Sequence, residues 1–246
     1  MSTPEAITGH YIDVKGTRTF YDEIGDGKPL VCVHTAGASS LEYHLALPLY
    51  ASQGFHVFAL DLPGHSRSYP VNWTQHRSIH QHAEFVHEFV LALGLDDPVI
   101  TGCSIGGDIT FDYAVNHWRD MAAGIPMEGL GRSPTFPCPD SMVHPAWAPG
   151  WQDMIERAAV ESLGRNVSEE KQNELRWQHK NAQVSAVGDL EAWSQHDVLA
   201  DLDKVERPML VIRGDDDFWV PKELVEESVN RLPNGEAIHL PNVGHY

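Results

Sequence analysis

The sequence predicts an α/β fold: a mostly parallel central sheet with helices on both faces, interrupted late by a helical insertion. Three observations predict it. Short β-prone runs at 29–33, 55–60 and 208–212 are nearly continuous in apolar residues, so strands formed there are covered on both faces. Between such runs lie stretches with helical periodicity, best seen in Ile79, Ala83, Val86, Val90 and Leu93. Finally, the run at 99–103 ends in Gly102-Cys103-Ser104-Ile105-Gly106, after which apolar residues recur at helical spacing as far as Trp118. That pattern is a strand–turn–helix corner with a serine at its tip.

Each element follows in order. Residues 9–24 alternate apolar and polar around Lys15-Gly16, the pattern of an antiparallel hairpin with one wet face. Gly25-Asp26-Gly27 breaks it, and the buried strand at 29–33 stops in the small-residue loop from His34 to Ser40. This loop lies at the carboxyl end of a central strand, where open α/β sheets bind ligands. A helix near 41–53, a strand at 55–60 and a loop from Asp61 to Ser68 come next. The helix ending in Leu93 is stopped by Gly94. Asp97-Pro98 leads into the corner strand, and 121–128 reads as a further strand.

From 129 to 206 the alternation fails. Pro134, Pro137, Pro139, Pro145 and Pro149 forbid regular structure in the first third, and helices are predicted from Trp151 to Leu163 and from Ser168 to about Val187. The segment is too long for an ordinary connection, so a helical cap at 129–206 is expected on a core made of 1–128 and 207–246. Phe136, Met142, Trp147, Trp151 and Trp177 would give the cap an apolar underside. The sheet resumes at 208–214, a helix opens at Pro221 and turns Leu224, Val225, Val229 and Leu232 inward, and 237–240 is the last strand.

Composition bounds the partners. At 246 residues and 42% apolar content the chain buries the core of one domain with an insertion. Its 17 basic and 35 acidic residues leave a formal charge of −18, which repels phosphate backbones and anionic membranes, so neither nucleic acid nor membrane is an expected partner. The first six residues contain neither a basic nor an apolar leader region, and no apolar run approaches a membrane span; a soluble, cytoplasmic protein is expected. Cys32, Cys103 and Cys138 show no paired spacing and read as reduced thiols.

The chemistry sits at the strand ends. A serine hydroxyl is a weak nucleophile until a base lies within hydrogen-bond reach and a carboxylate holds that base. Asp215, Asp216 and Asp217 follow one late strand and His245 follows the next, in the order Ser, Asp, His. The helix beginning after Ser104 also presents unpaired N–H groups to an oxyanion. Cys103 is set aside as nucleophile because the flanking glycines centre on Ser104.

With these motifs the chain resembles a serine-dependent member of the α/β-hydrolase superfamily over essentially its whole length. Four motifs in order carry the resemblance: His34-Thr35-Ala36-Gly37, the Asp61–Ser68 loop, the serine elbow, and the pair Gly214-x-x-Asp217-x-x-Val220-Pro221 with Gly244-His245. The resemblance implies that Ser104 attacks a carbonyl, His245 shuttles the proton and Asp217 orients the imidazole. The N–H groups of Ala36 and Ile105 would bind the oxyanion. Asp217 is preferred for its place in the motif, with Glu128 the outside candidate for the acid. Three departures stand out: Thr35 where relatives usually carry glycine, Ser66 where they carry a second glycine, and an end at Tyr246 where relatives continue into a helix; either the sequence is cut short there or the helix is lacking, and in the second case His245 would sit on a frayed terminus.

The expected reaction is hydrolysis, through an acyl-enzyme, of a carboxylic ester of a small, largely apolar molecule. Thr35, Cys103, Trp147, Trp151 and Trp219 are the expected substrate contacts, and Arg132 or Arg157 could seat one substrate carboxylate. A serine at the elbow argues against the halide and epoxide chemistry of relatives that use aspartate there. Alternatives are carbon–carbon cleavage of a diketone, suggested by Ala38-Ser39-Ser40 but opposed by Cys103 where asparagine is typical, and lactone or amide hydrolysis. From another class comes a ligand-binding receptor on a hydrolase scaffold. No cofactor or metal is expected: His76, His80, His82 and His87, with Glu84 and Glu88, lack a metal-ligand spacing and read as exposed helix decoration.

Overall fold

The computed structural model describes residues 6–134, 150–180 and 185–246. Strands β1 (Thr8–Val14) and β2 (Thr17–Ile24) form the hairpin turning at Lys15-Gly16, with Val14 opposite Thr17. Strands β3 (Lys28–Val33), β4 (Phe55–Leu60), β5 (Val99–Cys103), β6 (Ala123–Met127), β7 (Met209–Gly214) and β8 (Gly235–Leu240) complete one sheet in the order β1-β2-β4-β3-β5-β6-β7-β8. The β2–β4 pairing is antiparallel and all pairings from β4 to β8 are parallel.

The central strands separate two cores, as their unbroken apolar runs require. Val31, Val33, Phe58, Leu60 and Ile100 face one core. Three helices pack onto it: Ile79–Leu93 (α2) through Val86 and Phe89, Ile105–His117 (α3) through Ile105 and Ile109, and, late in the chain, Lys222–Arg231 through Val225. Leu30, Cys32, Val57, Ala59 and Val99 face the other core, where Tyr43 and Leu47 cover them; Leu47 belongs to α1 (Ala46–Ser52). Alternate residues of one strand thus enter different layers. Toward β8 this second face opens to solvent, and Ile238, Leu240 and Val243 are exposed.

Among the described residues, three further helices, α4 (Trp151–Glu161), α5 (Glu169–Lys180) and α6 (Ser185–Ser194), stand between β6 and β7; the late helix Lys222–Arg231 is α7. One bound of the sequence expectation needs correction. The helix expected from Ser168 to about Val187 corresponds to α5 and the start of α6, with 181–184 outside the described residues, and α6 runs on past Val187 to Ser194. Gly188 and Asp189 in its middle are poor helix formers, but tertiary contacts override them. A Cβ on Gly188 would meet the His76 carbonyl oxygen at 2.0 Å, so α6 packs where only glycine fits. Pro221 is extended (φ −60°, ψ 132°) and caps α7, which starts one residue later than expected. Among the described residues no helix is long and apolar enough to cross a membrane.

Candidate active site

The corner between β5 and α3 is tight. Ser104 has φ 56° and ψ −120°, a conformation that strains a residue with a side chain. A Cβ on Gly102 would lie 2.4 Å from the Gly106 carbonyl carbon, and one on Gly106 would lie 2.2 Å from the Val33 oxygen. Both glycines are therefore required by backbone contact. Ser104 N donates to Met127 O at 2.9 Å, and the N–H groups of Gly107 and Asp108 donate to Ser104 O at 2.8 and 3.0 Å. The strained residue is held from both sides.

His245 joins it in the same cavity. Its Nδ1 lies 2.7 Å from Asp217 Oδ2, and Asp217 Oδ1 accepts the N–H groups of Trp219 and Val220 at 2.6 and 3.3 Å. The expected frayed end is not found: His245 is buried, and its backbone N–H donates to Ser162 O at 2.8 Å. Burial works against the Asp217 charge, but the His245 hydrogen bond and its other partners hold the carboxyl below the usual range. Glu128, the outside candidate, stands beside this pair. Burial first, and then the Asp217 charge, push its carboxyl up to about 9.

Several N–H groups of the loop after β3 are already engaged. Thr35 N donates to Glu42 Oε2 at 2.8 Å, Gly37 N to Asp189 Oδ2 at 3.0 Å and Ala38 N to Thr35 O at 3.2 Å. Ala36 N–H is left without a partner among the described residues, and Ala36 and Ile105 both line the cavity. His34 braces the loop from beneath. Its Nε2 accepts from Leu62 N at 3.0 Å, so Nδ1 carries the hydrogen and donates to Thr35 O at 2.7 Å. Burial and then the neighbouring His65 lower its pKa to about 3, which keeps the ring neutral.

Asp189 ties the loop to α6. Its Oδ2 meets His65 Nε2 at 2.7 Å and its Oδ1 lies 3.2 Å from His82 Nε2, all three residues being buried. Burial acts to lower His65, yet the Asp189 carboxylate outweighs it and the imidazole is raised; Asp189 is driven well down in return. His76 and His82 are thus not helix decoration. His82 is buried on Asp189, and the His76 ring packs against it, centroids 4.8 Å apart. His80, His87 and His117 pair with Asp112, Asp120 and Glu84 at 2.9, 3.3 and 2.6 Å. His87, His117 and Asp120 bring possible ligand atoms within 4.8 Å of one another.

The cavity holds about 160 Å³. Its floor is Ser104, Ile105 and Ala36; α4, α5 and α6 supply the opposite wall through residues such as Ile155, His179 and Trp193. Of the expected contacts, Trp219 lines it, its Nε1 donating to Ser162 Oγ at 2.6 Å. Thr35 and Cys103 do not: the Thr35 side chain is fully buried, and Cys103 Sγ turns toward His245 O at 3.6 Å. Trp147 and the Trp151 side chain lie outside the described residues. Arg132 and Arg157 are engaged by Glu227 and Glu161, each at 2.7 Å, and neither lines the cavity. Sequence reasoning missed Trp193, His179 and Tyr246, whose place in the wall depends on how α5, α6 and the last residues pack.

Residues 28–246 match the family model described as the alpha/beta hydrolase fold. A bifunctional esterase/perhydrolase of Acinetobacter calcoaceticus is 27% identical over 265 residues, covering 96% of this chain and 92% of that protein. A non-heme haloperoxidase of Rhodococcus erythropolis is 26% identical, covering 94% and 90%. Among solved structures, the enol-lactonase of Burkholderia xenovorans LB400 superposes with a TM-score of 0.83 at 16% identity, over 96% of this chain and 92% of that one. The chain belongs to the alpha/beta hydrolase fold family.

Proposed function

We propose that the protein hydrolyses a carboxylic ester of a small, largely apolar molecule through an acyl-enzyme on Ser104. The observation that carries this reading is the strained serine at the cavity floor, with a buried histidine held by a buried aspartate in the same cavity. In the proposed reaction Ser104 Oγ attacks the ester carbonyl while His245 Nε2 takes its proton. Asp217 holds Nδ1–H and steadies the imidazolium that forms. The developing oxyanion is received by the N–H groups of Ala36 and Ile105; each such donor contributes roughly 3 kcal/mol to the transition state in comparable sites. His245 then protonates the leaving alcohol, and water repeats the sequence in reverse on the acyl-enzyme.

The apolar wall supports a small uncharged substrate, since Met154, Ile155, Leu190, Trp193 and Val220 offer no partner for a charge. In this reading 129–206 is a cap whose helices α4–α6 close over Ser104. The esterase activity named for the Acinetobacter relative agrees with it. The test is turnover of p-nitrophenyl acetate and butyrate by the chain and by Ser104→Ala. Turnover lost in the variant supports the reading. Turnover of lactones or diketones alone would replace the ester by those bonds, and tight retention of an unhydrolysed ligand would favour the receptor.

A further inference from the structure

Glu128 follows β6 with φ 46°, in the left-handed region that disfavours a side-chain-bearing residue. The chain accepts that conformation to bring a second carboxyl against the first. Possible ligand atoms of Glu128, Asp217 and His245 lie within 4.8 Å of one another, and all three residues are buried. Glu128 Oε1 accepts the Gly214 N–H, and the Glu128 N–H donates to Ile212 O at 2.8 Å, so the side chain is anchored at both ends. Oε2 is buried with no donor partner among the described residues. An ionised Oε2 there would be an unsatisfied buried charge beside a second carboxylate. A protonated one is a donor facing the nearest acceptor.

We propose that Glu128 is a positioning residue of the proton relay: its carboxylic acid donates a hydrogen bond to Asp217, so a carboxyl pair sharing one proton, not a lone aspartate, holds His245. Asp217 would then receive Trp219 N–H, Val220 N–H, His245 Nδ1–H and Glu128 Oε2–H, and stay ionised because its charge is spread over four donors. The groups facing Glu128 from the packed elements are Asp217 and Arg213 from the β7 side, His245 from the last residues and Cys103 from β5. Arg213 is committed to the carbonyls of Val220 and Asp217 at 2.7 and 2.8 Å, and so fixes the Asp217 loop without neutralising Glu128 outright. The role in the relay rests on the function proposed above; the protonation of Glu128 does not.

Two readouts keep these separate. The infrared difference spectrum of wild type minus Glu128→Gln should show a protonated carboxyl band at pH 7 that is lost as the pH rises through about 9. Its absence at pH 7 overturns the proposal whatever the activity. For p-nitrophenyl butyrate, with Ser104→Ala as background, Glu128→Gln should stay within about threefold of wild type at pH 7. Its amide accepts from Gly214 N–H and donates to Asp217 as the acid does. Glu128→Leu should lose about tenfold or more in kcat. Wild type should decline above about pH 9 where the glutamine variant does not. Equal rates for the leucine and glutamine variants would reduce Glu128 to a space-filler. A collapse of the glutamine variant by about a hundredfold or more would make Glu128 an ionised relay acid. Lack of any Ser104-dependent turnover would refute the ester reading and the relay role, leaving the band to decide the carboxyl pair.

Discussion

Replacing Glu128 by glutamine should change the pH dependence of folding by an amount set by its environment. In the unfolded chain this carboxyl releases its proton at its ordinary 4.5; in the folded protein burial and Asp217 hold the proton up to about 9. Folding therefore takes up a proton in that window. The contribution of Glu128 to stability is fully present below 4.5, falls as the pH rises and is lost through about 9. The slope for one proton is about 1.4 kcal/mol per pH unit, so wild type should lose about 4 kcal/mol from this group between pH 5.5 and pH 8.5. Glutamine does not titrate. Groups common to both proteins cancel in their difference, and that difference should move in favour of Glu128→Gln by the same amount. Against a total stability of about 5–15 kcal/mol this is large. Urea unfolding of both proteins at pH 5.5, 7.0 and 8.5, followed by tryptophan fluorescence, measures it. A gap that stays flat, or opens toward low pH, refutes the reasoning.

Other substitutions test other joints. Asp189→Ala leaves the His65 imidazole and the Gly37 N–H without their buried partner and should cost about 3–5 kcal/mol in urea, with Asp189→Asn costing less because it keeps an acceptor. Gly106→Ala puts a Cβ 2.2 Å from the Val33 carbonyl oxygen, and the thermal midpoint should fall by the equivalent of about 3 kcal/mol or more. Trp219→Phe keeps the apolar wall but removes the 2.6 Å hydrogen bond to Ser162 Oγ, so KM for p-nitrophenyl butyrate should rise several-fold with kcat little altered; the reverse split would place Trp219 on the reacting groups.

Features set by local chemistry were legible in the sequence. The β1–β2 hairpin shows in its alternation and the central strands in their unbroken apolar runs, because a strand between two cores needs both faces apolar. The elbow shows because Gly102 and Gly106 touch backbone within a few residues or on the adjacent strand. Features set by distant partners were not. His82 sits on a helix that looks polar around His80 and His87, and its burial depends on Asp189, more than a hundred residues away on α6. Gly188 and Asp189 hid the later part of α6 for the same reason: each is a poor helix former locally and is used for a contact made elsewhere. Glu128 was visible as a candidate acid, but nothing in its spacing says that it would face Asp217 at the end of another strand. The cavity wall was the least legible part, since which faces of α4, α5 and α6 turn toward Ser104 is decided by their packing on the sheet.

The central claim is that Ser104 is a nucleophile activated by His245. It is tested most directly by treating the protein with a small alkyl fluorophosphonate and mapping the adduct by mass spectrometry. The account predicts one adduct, on Ser104, absent from Ser104→Ala and formed about a hundredfold or more slowly in His245→Gln. An adduct on another residue such as Cys103, or labelling of Ser104 at an equal rate without the histidine, would contradict it.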